Sequence, residues 1–181
     1  MSKNKFLIIL IFSLLLFSCK NKADDSQAPE LLIKQGKNQI EYYTYNGTET
    51  LRDNIGKLFV ENFPKNIDEI IHIKNNADIK FEFTDKVPRE MKLSEYILNT
   101  SGGLKYSSPT DRILNLNTKN NKADFKIESN LADYLSSNSN DYGEGKSIRG
   151  YQLECEFYDS LSESSYYKTY YFILRTDTSS F

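Results

Sequence analysis

The residues able to do chemistry are few, and their spacing decides what they could do. His72 is the only histidine in the 181 residues, so a Ser-His-Asp triad or a histidine-bearing zinc site would have to use it. The surrounding IIHIKN gives it no companion at ligand spacing, and it reads as a partly exposed strand residue. Asp68-Glu69 and Glu154/Glu156 are carboxylate pairs of the type that cleave glycosides. Glu154 and Glu156 would share a strand face about 7 Å apart at ~3.3 Å per residue. That is the pattern of a half-buried sheet's wet face, and no catalytic residue is assigned. NSNDYGEGK is rich in oxygen donors but lacks the alternating acids and terminal bidentate glutamate of a calcium loop. Gly143-Glu144-Gly145-Lys146 is too short to cradle a phosphate. No cofactor-binding or metal-binding residue is assigned, and the chain is read as a non-enzyme.

Thirteen tyrosines and no tryptophan are the most suggestive compositional feature. Tyrosine offers a large contact area with a polar handle and is enriched in binding surfaces. Tyr151 and Tyr170 lie in strongly alternating segments and are read as core. Tyr42, Tyr43, Tyr45, Tyr142 and Tyr158 lie near loops or strand ends and form the candidate binding surface. Cys155 sits on the apolar face of an alternating strand and reads as a small buried hydrophobe.

The elements that would position these residues follow from hydrophobic period. QIEYYTY reads as a strand ending at the Asn46-Gly47 turn. Leu51, Ile55, Leu58 and Phe59 then fall on one helical face, with Thr48 as N-cap and Pro64 near the end. Ile67 to Ile73 reads as a strand. Asn75-Asn76 turns into a second strand in which Ile79, Phe81 and Phe83 alternate with polar residues. Pro88 suits a first helical turn, which predicts a second helix through REMKLSEYILN. Leu104 to Tyr106 reads as a short strand. Arg112 to Thr118 and Ala123 to Glu128 read as a strand pair joined by KNNK, and a helical turn follows around Leu131, Tyr134 and Leu135. The strongest signal is last: GYQLECEFYD and YYKTYYFILRT form an antiparallel pair. This order predicts an α+β fold: one domain, mostly antiparallel sheet, with two or three helices packed on one face.

The N-terminus carries the clearest motif. Lys3 and Lys5 precede a 12-residue run, Phe6 to Phe17, apolar but for Ser13. A membrane-spanning helix needs roughly 20 apolar residues, so the run reads as the core of a signal peptide. Leu16-Phe17-Ser18-Cys19 resembles the lipobox of bacterial lipoproteins, which implies cleavage before Cys19 and acylation of its sulfur. Lys20 to Glu30 is polar and contains Pro29, which suits a flexible tether. Its basic start followed by Asp24-Asp25 resembles the export signal that sends Bacteroidota lipoproteins to the cell surface. Lys20 after the cysteine resembles outer-membrane sorting. Asp159-Ser160-Leu161 resembles the three-residue O-glycosylation site of Bacteroidota envelope proteins, a hint that the loop is exposed. The expected organisation is a signal peptide over 1–18, lipidated cysteine and tether over 19–37, and a globular domain over 38–181.

Charge narrows the partners. The whole chain carries 23 basic and 25 acidic residues. The leader holds two of the lysines, so the body that follows stands at 21 − 25 = −4. A mildly acidic domain has no electrostatic footprint for nucleic acid. The expected function is a non-catalytic binding module, moored to the outer membrane by lipid, for an envelope protein or glycan. An inhibitor or immunity lipoprotein that neutralises a toxin or hydrolase is the alternative. A hydrolase with an unfamiliar site is the third.

Overall fold

Strict alternation from Tyr151 to Phe157 writes the largest element of the protein. In the computed structural model, which describes residues 31–45, 55–106, 112–136 and 138–178, this segment belongs to strand β8, Gly143–Asp159. Tyr151, Leu153, Cys155 and Phe157 are fully buried on one face. A tight turn leads to β9, Ser164–Thr178, which pairs antiparallel along nearly its whole length, from Asp159 opposite Ser164 to Gly143 opposite Thr178. The sequence reading of β9 holds: Tyr170, Phe172 and Leu174 face inward with their β8 partners, and Tyr171 and Ile173 face the other way.

Three more strands complete that sheet. These are β3 (Tyr43–Tyr45), β5 (Glu90–Leu98) and β6 (Arg112–Leu116), in the order β3-β9-β8-β5-β6. A second sheet runs β2-β1-β4-β7, from β1 (Leu31–Gln35), β2 (Asn38–Ile40), β4 (Asp78–Phe83) and β7 (Lys122–Lys126). Every strand pairing is antiparallel. The apolar face of the second sheet (Leu31, Ile33, Ile79, Phe81, Phe83, Phe125) meets that of the first in one core, as in face-to-face β packing. Rings interlock across it: Phe81 meets Phe172 edge-on at 6.1 Å, and Phe83 meets Phe157 at 6.1 Å. Each such ring removed from water contributes roughly 1.5–3 kcal/mol, so this interface dominates stability.

Helix α1, Ile55–Glu61, covers the outer face of the five-stranded sheet. Ile55 and Phe59 are buried there among Leu98, Ile148 and Tyr171. Phe59 lies flat over Gly150, where even a Cβ would stand 2.6 Å from its Cζ. Glycine is required at 150 by this close approach.

The architecture corrects the α+β expectation. Among the described residues the fold is mainly antiparallel β in two sheets, with one α-helix and short 3-10 turns. The helix expected after Pro88 is strand β5. Its inward side is met by Leu153 and Tyr151 of β8, and tertiary pairing overrides the helix-forming Glu, Met, Lys and Leu. Ile67 to Ile73 is not a strand but a 3-10 turn, Ile67–Glu69, followed by a single bridge at His72. β6 and β7 do form, yet in different sheets: the Asn120-Asn121 turn, both residues at positive φ, carries the chain from one sheet to the other. Leu104 to Tyr106 contributes one bridge, Leu98 to Leu104. Leu31–Gln35, assigned by sequence to the tether, is β1, with Leu31 and Ile33 buried in the core. Thr48, the expected N-cap, lies outside the described residues.

The strands give the molecule two ends. Leu31 pairs with Phe83, and Phe83 touches Phe157, two residues before the β8–β9 turn. Ser147 and Thr176 lie at the other end, about 36 Å from Tyr158 at ~3.3 Å per residue.

Candidate functional site

At the end far from Leu31, β8 carries Arg149 on its inward side, between Ile97 of β5 and Leu174 of β9. The side chain is 0% exposed, where an unpaired charge is prohibitively costly. The fold supplies partners for it. Nη2 donates to Asp133 Oδ2 at 2.7 Å, and Nη1 donates to the Glu128 carbonyl at 2.6 Å and to Glu95 Oε1 at 3.3 Å. Nε donates to Ser147 Oγ at 3.4 Å, and Ser147 in turn donates to Asp133 Oδ1 at 2.6 Å. Burial pulls the guanidinium's pKa down, and neighbouring Tyr151, Glu95 and Asp133 outweigh it, leaving the group above its ordinary value.

The network clamps a 3-10 turn, Leu131–Leu135, against the sheet end. Asn130 caps the turn by accepting from Ala132 N–H at 2.9 Å, while its Nδ2 donates to Glu95 at 2.7 Å. Asp133 is the turn's buried anchor. The same turn holds Leu131 80% and Leu135 65% exposed. The following segment is strapped as well. Tyr142 Oη donates to the carbonyls of Tyr134 and Ser136. Asp141 accepts from Ser136 Oγ at 2.6 Å and pairs with Lys105 at 3.0 Å. Those two partners, the Ser136 hydroxyl first, hold the Asp141 carboxyl below its ordinary pKa.

Beside this turn lies a second cluster. Residues 71–73 run parallel to the end of β9: Arg175 N–H donates to the Ile71 carbonyl and Ile73 N–H to the Arg175 carbonyl, both at 2.9 Å. This places His72 against Asp177, with Nε2 2.6 Å from Oδ1. An irregularity in the β8–β9 ladder between Gly143 and Ser147 brings Glu144 to the same spot. Gly145, at φ +65°, lies against the His72 ring; a Cβ there would sit 3.4 Å from Cδ2. Its N–H donates to Asp177 Oδ1 at 3.1 Å, and Asn75 Nδ2 donates to the Asp177 carbonyl at 2.9 Å. Burial raises the Asp177 pKa, but the His72 and Gly145 hydrogen bonds hold it below its ordinary value. The donor atoms of His72, Glu144 and Asp177 lie within 4.8 Å of one another.

The chain matches no protein-family model and no curated protein.

The sequence-derived tyrosines do not form one surface. Tyr42 packs edge-on against Tyr170 at 5.5 Å and belongs to the core margin. Tyr45 is half-buried against the cluster around α1. Tyr43 is exposed on edge strand β3, opposite Tyr171. Tyr158 lies at the β8–β9 turn with the Arg89 guanidinium 3.7 Å over its ring, whereas Tyr142 straps the opposite end. Tyr151 and Tyr170 are buried, as expected. Cys155 is fully enclosed, and burial pushes its thiol pKa far up. Glu154 and Glu156 face outward with Glu154 near Lys92 at 3.7 Å and bonded to Gln152. Cys19 lies outside the described residues. Sequence reasoning found the turn around Leu131, Tyr134 and Leu135 but missed its pinning by Arg149 and the His72 cluster. An inward arginine in β8 was the one readable signal of the first; the second joins segments too far apart for spacing to reveal.

Proposed function

We propose that the protein is a lipid-anchored envelope module that binds a protein partner through the turn Leu131–Leu135, without catalysing a reaction. The observation that carries this reading is the pairing of two exposed leucines with a fully buried arginine beneath them. Exposed apolar side chains on a rigid turn lose little entropy when a partner covers them, and preorganisation of this kind favours association. Leucines favour a protein surface over a glycan. The lipobox resemblance at Cys19 supports the anchor. Residues 19–30 reach at most about 40 Å when extended, and they lead into Leu31, which lies at the end of the strands opposite the turn. Leu131 and Leu135 thus lie at the end of the body remote from the anchor's attachment point.

The test is a binding comparison between the native protein and a Leu131→Ser/Leu135→Ser variant. A partner retained by the immobilised native chain from envelope extract is expected to be lost by the variant at unchanged melting temperature. Equal retention by both would overturn the assignment of the turn. Intact-mass measurement of the native protein tests the anchor separately: the expected species begins at Cys19 with added acyl mass, and an unmodified Cys19 refutes it.

A further inference from the structure

We propose that His72, Glu144 and Asp177 form a site for a divalent first-row transition cation, with zinc the best match to the donors. The three side chains come from three segments: the parallel stretch 71–73, the start of β8 and the end of β9. Their ligand atoms already lie within 4.8 Å of one another. An ion about 2.0–2.2 Å from each nitrogen or oxygen ligand fits inside a triangle of that size with small side-chain adjustments. One imidazole with two carboxylates is a borderline donor set. Calcium and magnesium favour all-oxygen shells, whereas imidazole suits zinc, copper and nickel.

Charge and surroundings point the same way. With His72 neutral the trio carries two negative charges, and among the described residues no ion pair joins Glu144. A divalent cation balances that charge. The Asp177 carboxylate is already oriented by the Gly145 N–H, the kind of outer-shell hydrogen bond that ligating carboxylates usually have, and its backbone carbonyl is held by Asn75. Asn75 also supplies an independent observation. Its Nδ2 is bonded to Asp177, yet its Oδ1 is shielded from solvent without a hydrogen-bond partner. Orphaned acceptors of this kind are normally satisfied by a water or an ion. Side-chain exposures of 25% for His72 and 29% for Asp177, with Glu144 exposed, leave the outward side open for water ligands. On binding, the imidazole Nε2 gives up its hydrogen bond to Asp177 and turns its lone pair to the metal, with the proton carried on Nδ1 or released to solvent.

Zinc titrated calorimetrically into the full chain, purified in detergent and stripped with chelator, is expected to fill one saturable site. Glu144→Gln, an exposed change that leaves the fold intact, is expected to weaken binding at least tenfold, and His72→Gln to abolish it. The melting temperature should rise with zinc in the native protein and far less in Glu144→Gln. Absence of saturable zinc uptake, or uptake of equal affinity in Glu144→Gln, would overturn the site. Displacement of zinc by a hundredfold excess of calcium would overturn the choice of metal class.

Discussion

Replacing Arg149 with methionine should cost the protein a large part of its stability. The side chain is 0% exposed, and the carboxylates it serves, Glu95 and Asp133, are each 4% exposed. Methionine fills much of the same volume, so little cavity opens. What changes is the charge. Two carboxylates remain buried without their cation, the Glu128 carbonyl loses its 2.6 Å donor, and Asp133 keeps only Ser147. Removing one partner of a buried pair costs about 3–5 kcal/mol, against a total of roughly 5–15 kcal/mol for a domain. With a urea m-value near ~2 kcal/mol/M, the unfolding midpoint should fall by about 2 M. A triple variant, Arg149→Met with Glu95→Leu and Asp133→Leu, should recover part of the loss, limited by the partners that Asn130 and Ser147 then lack. Loss below ~1 kcal/mol at neutral pH would mean that the network is not sealed from water, and the rigid-turn argument would fall with it.

Gly150→Ala should lower stability by about 1–3 kcal/mol through overpacking, since the new methyl meets Phe59 at 2.6 Å; Phe59→Leu should restore much of it in a melting experiment. Cys155 should resist thiol reagents in the native protein, because it is buried and burial raises its pKa. In denaturant the mature chain should then show one reactive thiol, and a second would mean that Cys19 is unmodified. Asp141→Asn should cost under about 1 kcal/mol, because its Lys105 pair is a third exposed. Asp141 is held below its ordinary pKa, so its contribution is present above the unfolded value near ~3.9. That contribution disappears as pH falls through the folded value, and the variant's deficit in pH-dependent melting should vanish with it.

The strands that sequence reveals best are those whose two faces differ. β4 buries Ile79, Phe81 and Phe83 and exposes Asp78 and Lys80, and β8 from Tyr151 onward is equally regular. β5 hides because its inward side is not all apolar. Glu95 occupies an inward position for the sake of Arg149. Leu93 and Ile97 suit a helical face as well as a strand face, and Tyr96, which faces the other way in the strand, completes the helical pattern. β1 hides because it is short and follows a polar stretch; only its two neighbours, β2 and β4, make Leu31 and Ile33 core residues. The candidate sites were illegible for a related reason. Arg149 looks like a surface residue until Glu95, Asp133 and Glu128 close around it, and Glu144 looks like loop filler until the ladder irregularity turns it toward His72. Chemistry assembled from distant segments leaves no local pattern.

The antiparallel pairing of β1 with β4 bears on how the body withstands tension. Leu31, where the tether arrives, lies at one end of the strand axes, and the pinned leucines lie at the other. Under the proposed anchoring, a partner tugging on Leu131 and Leu135 pulls along β1 rather than across it. The hydrogen bonds to β4, and those from β1 to β2, are then loaded side by side and share the strain, whereas a sideways tug would unzip them one after another. The mooring point is thus placed where the sheet yields last.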